Sequence, residues 1–235
     1  MSTPITLAID TATRAITVAV ARGDEIVAQG QVLDARRHTE ELAPLLADCL
    51  DRAGVGVAEV TQVVVGTGPG PFTGLRVGLV TAQTFAYARG IPVYGVPSLD
   101  AIAQGHVRLD APAAGSEFLV ATDARRKEVY HARYRVADDG RSAVALDEPG
   151  VSKPADLPAE VRALPAAGYG PVLYPDLFGT AVLPLDVDAA DLAMVGLARI
   201  AVGAQMPTTP LYLRRPDAVE PSAAKSTLAA GGRAR

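Results

Sequence analysis

The stretch Leu7-Ala-Ile-Asp-Thr-Ala-Thr-Arg14 recurs in looser form 113 residues later as Val120-Ala-Thr-Asp-Ala-Arg-Arg-Lys127. In both copies an apolar run ends at an aspartate and a short polar turn follows, which is typical of a buried strand that enters a hairpin. Two further matches, each 118 residues apart, are Val77-Gly-Leu79 with Val195-Gly-Leu197 and Pro92-Val-Tyr94 with Pro210-Leu-Tyr212. Because the three matches come in one order, they favour a duplicated α/β unit over chance similarity.

The hydrophobic pattern around these repeats predicts alternating strands and helices. In the first half it predicts strands over 5–9, 16–21, 26–32, 62–66 and 92–96, and helices over 39–53 and 73–89. In the second half it predicts strands over 117–122, 129–136 and 210–213, and one helix over 188–205. We therefore expect an N-terminal lobe over residues 1–107, a C-terminal lobe over 108–220, and a disordered tail over 221–235.

The composition limits the classes of function. Of 235 residues, 49% are hydrophobic, and 22 basic against 26 acidic side chains give a formal charge of −4. This apolar content excludes a disordered protein, and an acidic chain is a poor candidate for binding nucleic acid unaided. The single cysteine, Cys49, cannot form an internal disulfide or complete a zinc site with three scattered histidines. The N-terminal residues do not resemble a signal peptide, so we expect a cytoplasmic protein without a membrane span.

The turn Asp10-Thr11-Ala12-Thr13 after the first predicted strand has two interpretations. Mg²⁺ takes oxygen ligands, and small residues let backbone amides approach a phosphate. A strand–Asp–turn hairpin repeated in a second lobe resembles the actin, sugar-kinase and heat-shock chaperone (ASKHA) superfamily, which places such acids around a metal-bound nucleotide. The second copy fits less well, because Asp123 is followed by the bulky Arg125-Arg126-Lys127. The other interpretation is that Asp10 caps a tight turn.

A glycine-rich segment, GTGPGPFTGLRVG over residues 66–78, joins a predicted strand to a predicted helix, which is the usual context of an anion site. It lacks the Gly-Lys-Ser/Thr of a Walker A loop, and Pro71 stands where a dinucleotide fingerprint that starts at Gly66 needs its third glycine. Prolines also remove backbone donors that a phosphate would use. A rigid turn that lets strand and helix pack closely is the simpler interpretation.

The helix that follows is apolar or small on nearly every side between Val77 and Ala88. Such a helix is normally buried on more than one side. Gly78 and Ala82, four residues apart, form a small-residue face that admits another backbone closely. The pattern alone leaves open whether this face packs on the chain's own sheet or on a partner subunit.

Together these motifs resemble the TsaB family, also called YeaZ. The resemblance spans residues 5–217 and rests on Ile9–Thr13, His38-Thr39-Glu40, the 66–78 segment, Pro97-Ser98-Leu99, Asp123-Ala-Arg125 with Glu128-Val-Tyr130, and Tyr212-Leu-Arg214. It implies a two-lobed ASKHA fold with no catalysis, metal or cofactor of its own.

The family resemblance also implies partners. TsaB-type proteins are dimerisation and activation subunits for TsaD, a related subunit that keeps metal and nucleotide ligands, and they act with the ATPase TsaE. The complex transfers threonylcarbamoyl to N6 of adenosine 37 in tRNAs that read codons starting with A. tRNA is then bound only through the complex, and a homodimer forms when TsaD is absent.

The site residues that follow from this resemblance fall into two sets. The partner interface is expected on the first two helices, at His38, Thr39, Leu42, Leu46, Arg76, Gly78, Leu79, Ala82 and Phe85. A degenerate nucleotide cleft is expected at Asp10, Thr11, Thr13 and Asp123. Two alternative functions stay open, a small ASKHA-type metabolite kinase and a homodimeric binding module without catalysis.

Overall fold

The computed structural model describes residues 3–34 and 38–214, except the side chain of His38. The predicted tail over 221–235 lies outside the described residues, and so does the His38 side chain that was expected at the partner interface. Within the described part, no helix is both long enough and apolar enough to cross a membrane.

The first sheet has five strands in the order β3-β2-β1-β4-β5. Their bounds are β1 Ile5–Asp10, β2 Ala15–Arg22, β3 Glu25–Leu33, β4 Gln62–Gly66 and β5 Val93–Val96. The first three strands form an antiparallel meander, and β4 and β5 run parallel to β1. β1 is buried at all six positions, because both faces of the sheet are covered and the strand is an almost continuous apolar run.

Two helices, α1 (His38–Arg52) and α2 (Phe72–Arg89), cover one face of this sheet. Ile5, Leu7 and Ile9 of β1 pack into this layer, whereas Ala8, which points the opposite way, packs into the core on the other side. The strand periodicity therefore divides the core into two layers.

The second sheet has the order β10-β6-β7-β8, and β9 also pairs with β7. Its strands are β6 Glu117–Arg125, β7 Glu128–Val136, β8 Ala143–Ala145, β9 Gly150–Ser152 and β10 Ala166–Ala167. β6 and β7 form an antiparallel hairpin, as β1 and β2 do in the first sheet. The duplicated hairpin predicted from the repeat is therefore confirmed, within an α/β fold that contains two sheets.

The helices α3 (Ser98–Asp110) and α6 (Ala189–Ala201) lie between the two sheets. One buried cluster joins Val64 of the first sheet, Ile102 of α3, Leu192 of α6 and Phe118 of the second sheet. The outer face of the second sheet is covered by residues 154–181, which include the short helices α4 (Ala159–Arg162) and α5 (Gly170–Leu173). The molecule thus consists of alternating helical and sheet layers around two hairpins.

Three features differ from the expected elements. Helix α3 is not predicted by the hydrophobic pattern. The predicted strand over 210–213 is irregular chain outside any sheet, and the Leu211 amide donates to the Thr67 carbonyl. Helix α6, predicted in the second lobe, packs on β1 and β2 of the first sheet. The boundary at residues 107–108 stays a prediction.

Candidate functional site

A cavity of about 150 Å³ lies where the two hairpins meet. The residues that line it are Ala12, Thr13 and Arg14 from the first hairpin, Thr122, Asp123 and Arg125 from the second, Thr39 of α1, Pro71, Thr73 and Gly74 at the start of α2, and Tyr169, Leu185 and Asp186. The structure therefore brings Thr13 and Asp123 together, as the resemblance implies. Asp10 and Thr11 lie behind this lining and are buried.

The carboxylate of Asp10 is bonded entirely within the protein. One oxygen accepts from the Ala12 amide at 2.7 Å, and the other accepts from the Ser98 hydroxyl at 2.5 Å. That hydroxyl in turn accepts from the Gly68 amide at 3.1 Å. A Cβ at Gly66 would overlap the Asp10 carboxylate, so only glycine fits there. Asp10 therefore ties the end of β1 to the glycine-rich loop and to α3.

Complete burial raises the pKa of Asp10 from 3.8 to about 6, and the bonds from Ser98 and Ala12 oppose this rise. A carboxylate that coordinates Mg²⁺ has to be ionised and has to face the metal ion. Among the described residues, no group of three or more His, Cys, Asp or Glu side chains is placed to hold a metal ion. The geometry of Asp10 matches the turn-capping interpretation.

Thr11 connects the same hairpin to α2. Its hydroxyl donates to the Gly74 carbonyl at 2.7 Å and accepts from the Gly78 amide at 2.9 Å. A Cβ at Gly78 would lie 2.5 Å from this hydroxyl oxygen. The Thr11 side chain therefore occupies the space beside Gly78, and a partner helix cannot reach this position.

Thr13 and Arg14 connect the hairpin to the segment before α6. Arg14 binds both oxygens of Asp186, at 2.5 and 3.2 Å, and its guanidinium lies 3.5 Å from the centre of the Tyr169 ring. The bond to Asp186 raises the pKa of Arg14. The Thr13 hydroxyl accepts from the Val187 amide at 3.4 Å. These contacts join two parts of the chain that are more than 150 residues apart in sequence.

The second hairpin turn is held by Asp123, which accepts from the Arg125 amide at 2.7 Å and pairs with the Arg125 guanidinium at 3.2 Å. The two arginines that line the cavity, Arg14 and Arg125, are thus each paired with an aspartate that also lines it. Their positive charge is balanced locally, which gives a phosphate little electrostatic attraction at this cavity.

The expected partner interface needs correction in part. Leu42, Gly78, Leu79 and Ala82 are buried in the chain's own core, so they cannot contact a partner. Arg76 and Thr39 are exposed, and Leu46 and Phe85 are partly buried. The exposed apolar residues of α2 that the sequence analysis missed are Phe72, Val80 and Tyr87, with 45%, 53% and 90% of their surface exposed.

A second group that the sequence analysis missed is a serine–histidine pair. The Ser152 hydroxyl lies 3.1 Å from Nε2 of His131, and burial lowers the pKa of His131. Both oxygens of the neighbouring Asp147 bind the Arg133 guanidinium, at 2.8 and 2.9 Å, and so do not orient the imidazole. The pair joins β9 to β7 and lies outside the lining of the cavity between the hairpins. We interpret it as a hydrogen bond that holds the two strands together.

Comparison with known proteins identifies the family. The family model described as "TsaD: tRNA N6-adenosine threonylcarbamoyltransferase" matches residues 32–232. An uncharacterised protein of Mycobacterium tuberculosis is 42% identical over 217 residues, which cover 90% of this chain and 92% of that protein. The tRNA threonylcarbamoyladenosine biosynthesis protein TsaB of Escherichia coli is 37% identical over 134 residues, which cover 57% of this chain and 56% of that protein.

The similarity extends to a solved structure from Pseudomonas aeruginosa, described as an uncharacterised protein with similarity to peptidase YEAZ. It shares 30% identity with this chain at a TM-score of 0.75, and the alignment covers 91% of this chain and all of that one. The chain belongs to the family that the matching model describes and, within it, to the TsaB/YeaZ proteins.

Proposed function

We propose that this chain acts in the biosynthesis of threonylcarbamoyladenosine in tRNA as a non-catalytic subunit. In this proposal it binds TsaD, with TsaE as the third member, and the complex transfers threonylcarbamoyl to N6 of adenosine 37 in tRNAs that read codons starting with A. Membership of the TsaB/YeaZ family supports the pathway, and the TsaD-type family model supports TsaD as the partner.

The observation that carries the non-catalytic role is the position of the Asp10 carboxylate. It is buried, it accepts bonds from Ala12 and Ser98, and it lies outside the cavity lining. In an ASKHA phosphotransferase the corresponding acid would have to face a metal-bound phosphate. Here Asp10 is linked through Ser98 to the Gly68 amide of the glycine-rich loop, which leads into α2. Thr11 bonds to α2 directly, so the hairpin serves to position this helix.

The exposed sides of α1 and α2 support a partner surface. The two helices pack side by side on the first sheet, and their exposed residues include Ala43, Ala47, Val80, Thr84 and Tyr87, which we call the α1–α2 face. Val80, Thr84 and Tyr87 recur at helical spacing along one side of α2. An exposed stripe of this kind is suited to pack against helices of a partner, TsaD or a second copy of this chain.

The kinase alternative gains no support from the cavity. Arg14 and Arg125 are neutralised by Asp186 and Asp123, and the second hairpin turn carries bulky side chains where a phosphate loop needs small ones.

Reconstitution tests the proposal. The purified chain is incubated with TsaD, TsaE, ATP–Mg²⁺, threonylcarbamoyl-AMP and unmodified tRNA, and each component is omitted in turn. We expect modified tRNA only when TsaD is present, stimulation by this chain, and no turnover by this chain alone. Turnover by the isolated chain that disappears in Asp10→Ala, or no stimulation of TsaD, would overturn the proposal.

A further inference from the structure

The cavity between the two hairpins is lined by a buried hydroxyl group that has no partner in the fold. Thr122 is only 5% exposed, and its side chain makes no hydrogen bond with any residue that the structure describes. Its methyl group faces Gly168, where an added Cβ would lie 3.3 Å away. Among the described residues, Arg89 Nε is the one fully enclosed side-chain nitrogen or oxygen without a partner, so the Thr122 hydroxyl is accessible from the cavity. A hydroxyl held in this way is a ready partner for a small molecule.

The charged groups that line the cavity have both signs and come from both hairpins. Arg14 of the first hairpin uses two of its five N–H groups on Asp186, whose side chain is 6% exposed. Asp123 of the second hairpin is 22% exposed, and its partner Arg125 is 63% exposed. Because an ion pair this exposed is weak, a cationic ligand can replace Arg125 at the Asp123 carboxylate. The cavity therefore offers cationic donors from the first hairpin and an anionic acceptor from the second.

The size of the cavity limits the ligand. Its volume of about 150 Å³ equals that of roughly five water molecules, so it holds a molecule of about five to eight non-hydrogen atoms. A nucleotide is several times larger. Ala12, Pro71 and Leu185 line the same cavity and can contact a short side chain of the ligand. Because both lining arginines are paired, an anion without a positive charge of its own is not favoured.

We propose that this cavity binds a small zwitterion, an α-amino acid with a short side chain. The ligand carboxylate accepts from Arg14, the ligand ammonium group donates to Asp123, and the Thr122 hydroxyl bonds to the same molecule. A ligand bound in this way links the two hairpins. The proposal goes beyond the proposed function, because it concerns the chain by itself and does not depend on TsaD.

Isothermal titration calorimetry and thermal melts of the full chain test the proposal, with L-alanine, L-serine and L-threonine as probes. We expect a dissociation constant between about 10 μM and 1 mM for at least one probe, which is the range open to so small a ligand. The same probe should raise the melting temperature. Acetate and methylamine carry one charge each and should bind at least about tenfold more weakly. ATP–Mg²⁺ should not bind.

The variant Thr122→Val separates ligand binding from stability. Valine keeps the shape of the side chain, and the lost hydroxyl has no partner among the described residues, so the melting temperature should stay the same or rise. Binding of the amino acid should become about five- to tenfold weaker. The matched control is Thr6→Val, outside the cavity lining, where the buried hydroxyl accepts from the Gln62 side chain at 2.8 Å. This control should lower the melting temperature and leave binding within about twofold.

The variant Asp123→Asn tests the charge pattern. Asparagine can still accept from the Arg125 amide, so the turn keeps this bond, but the partner of the ligand ammonium group is lost. We expect binding of the amino acid to fall by about tenfold. Acetate should bind more tightly than to the wild type, because Asp123 no longer neutralises Arg125.

Three results would overturn the proposal. The first is that none of the three amino acids binds the wild-type chain, and the second is that acetate or ATP–Mg²⁺ binds as tightly as they do. The third is that Thr122→Val or Asp123→Asn leaves the affinity for the amino acid unchanged. A clearly lowered melting temperature of Thr122→Val would also contradict it, because the hydroxyl would then have a structural partner.

Discussion

The hydroxyl of Thr11 accepts a hydrogen bond from the Gly78 amide at 2.9 Å and so fixes the first hairpin to the middle of α2. The same hydroxyl donates to the Gly74 carbonyl. In an α-helix this carbonyl is the acceptor for the Gly78 amide, so the threonine hydroxyl contacts both groups of one helical turn. With Asp10 bonded to Ser98 at the start of α3, adjacent hairpin residues position two helices. The first hairpin of this chain therefore supports α2 and α3 from within the fold.

Gly78→Ala should lower the free energy of unfolding by about 1–3 kcal/mol, because its Cβ would overlap the Thr11 hydroxyl, although alanine favours a helix by about 1 kcal/mol. Urea unfolding of Gly78→Ala, Thr11→Ala and the double variant measures this. We expect Gly78→Ala to cost at least about 1 kcal/mol less when Thr11 is already alanine. Additive effects would contradict the contact.

Because of Asp10, the free energy of unfolding should fall as pH rises from 4 to 7, which is the opposite of what a carboxylate with a lowered pKa causes. Because burial raises its pKa from 3.8 to about 6, its protonated form stabilises the fold fully below about pH 4, and this contribution is lost as pH rises through 6. Relative to Asp10→Asn, the wild type should lose about 2–3 kcal/mol of unfolding free energy between pH 4 and 7. Urea unfolding of both proteins across this range tests it, and parallel curves would refute the assignment.

The Arg14–Asp186 pair should contribute more to stability than an exposed pair. The Asp186 side chain is 6% exposed, so removing Arg14 leaves a buried carboxylate unpaired. Because Arg14 itself is partly exposed, we expect a coupling of about 1–3 kcal/mol in an alanine double-mutant cycle. The exposed Arg52–Asp48 pair serves as the control, with an expected coupling below about 0.5 kcal/mol. Equal couplings for the two pairs would contradict this expectation.

The strands and amphipathic helices of the first sheet were predictable from the sequence because their apolar residues alternate or recur at helical spacing. Helix α3 was missed because two buried polar residues, Asp100 and His106, interrupt its apolar face, although Asp100, Gln104 and Arg108 recur at helical spacing. The strand expected over 210–213 is absent because its backbone makes one bond to the Thr67 carbonyl where a strand would form a ladder.

The candidate site was predictable only in part. The Asp10 turn was found by its repeat, but its partner Ser98 lies 88 residues away, and no local pattern reveals such a contact. For α2, the sequence left open whether Gly78 and Ala82 face the chain's own core or a partner. The fold places both in the core, and only the remaining exposed residues, such as Val80, are available to a partner.

We propose that the α1–α2 face binds TsaD, and Val80→Arg tests this most directly. Val80 is 53% exposed, so arginine should leave the melting temperature nearly unchanged in the isolated chain. In an interface of packed helices the same arginine would be a buried, unpaired charge, which costs several kcal/mol. The matched control is Val202→Arg at the end of α6, where valine is 79% exposed.

The measurement is size-exclusion chromatography of each folded variant with TsaD, together with its stimulation of tRNA modification. We predict that Val80→Arg elutes apart from TsaD and no longer stimulates modification, while Val202→Arg behaves as the wild type. A Val80→Arg protein that still elutes with TsaD and supports modification would contradict the account.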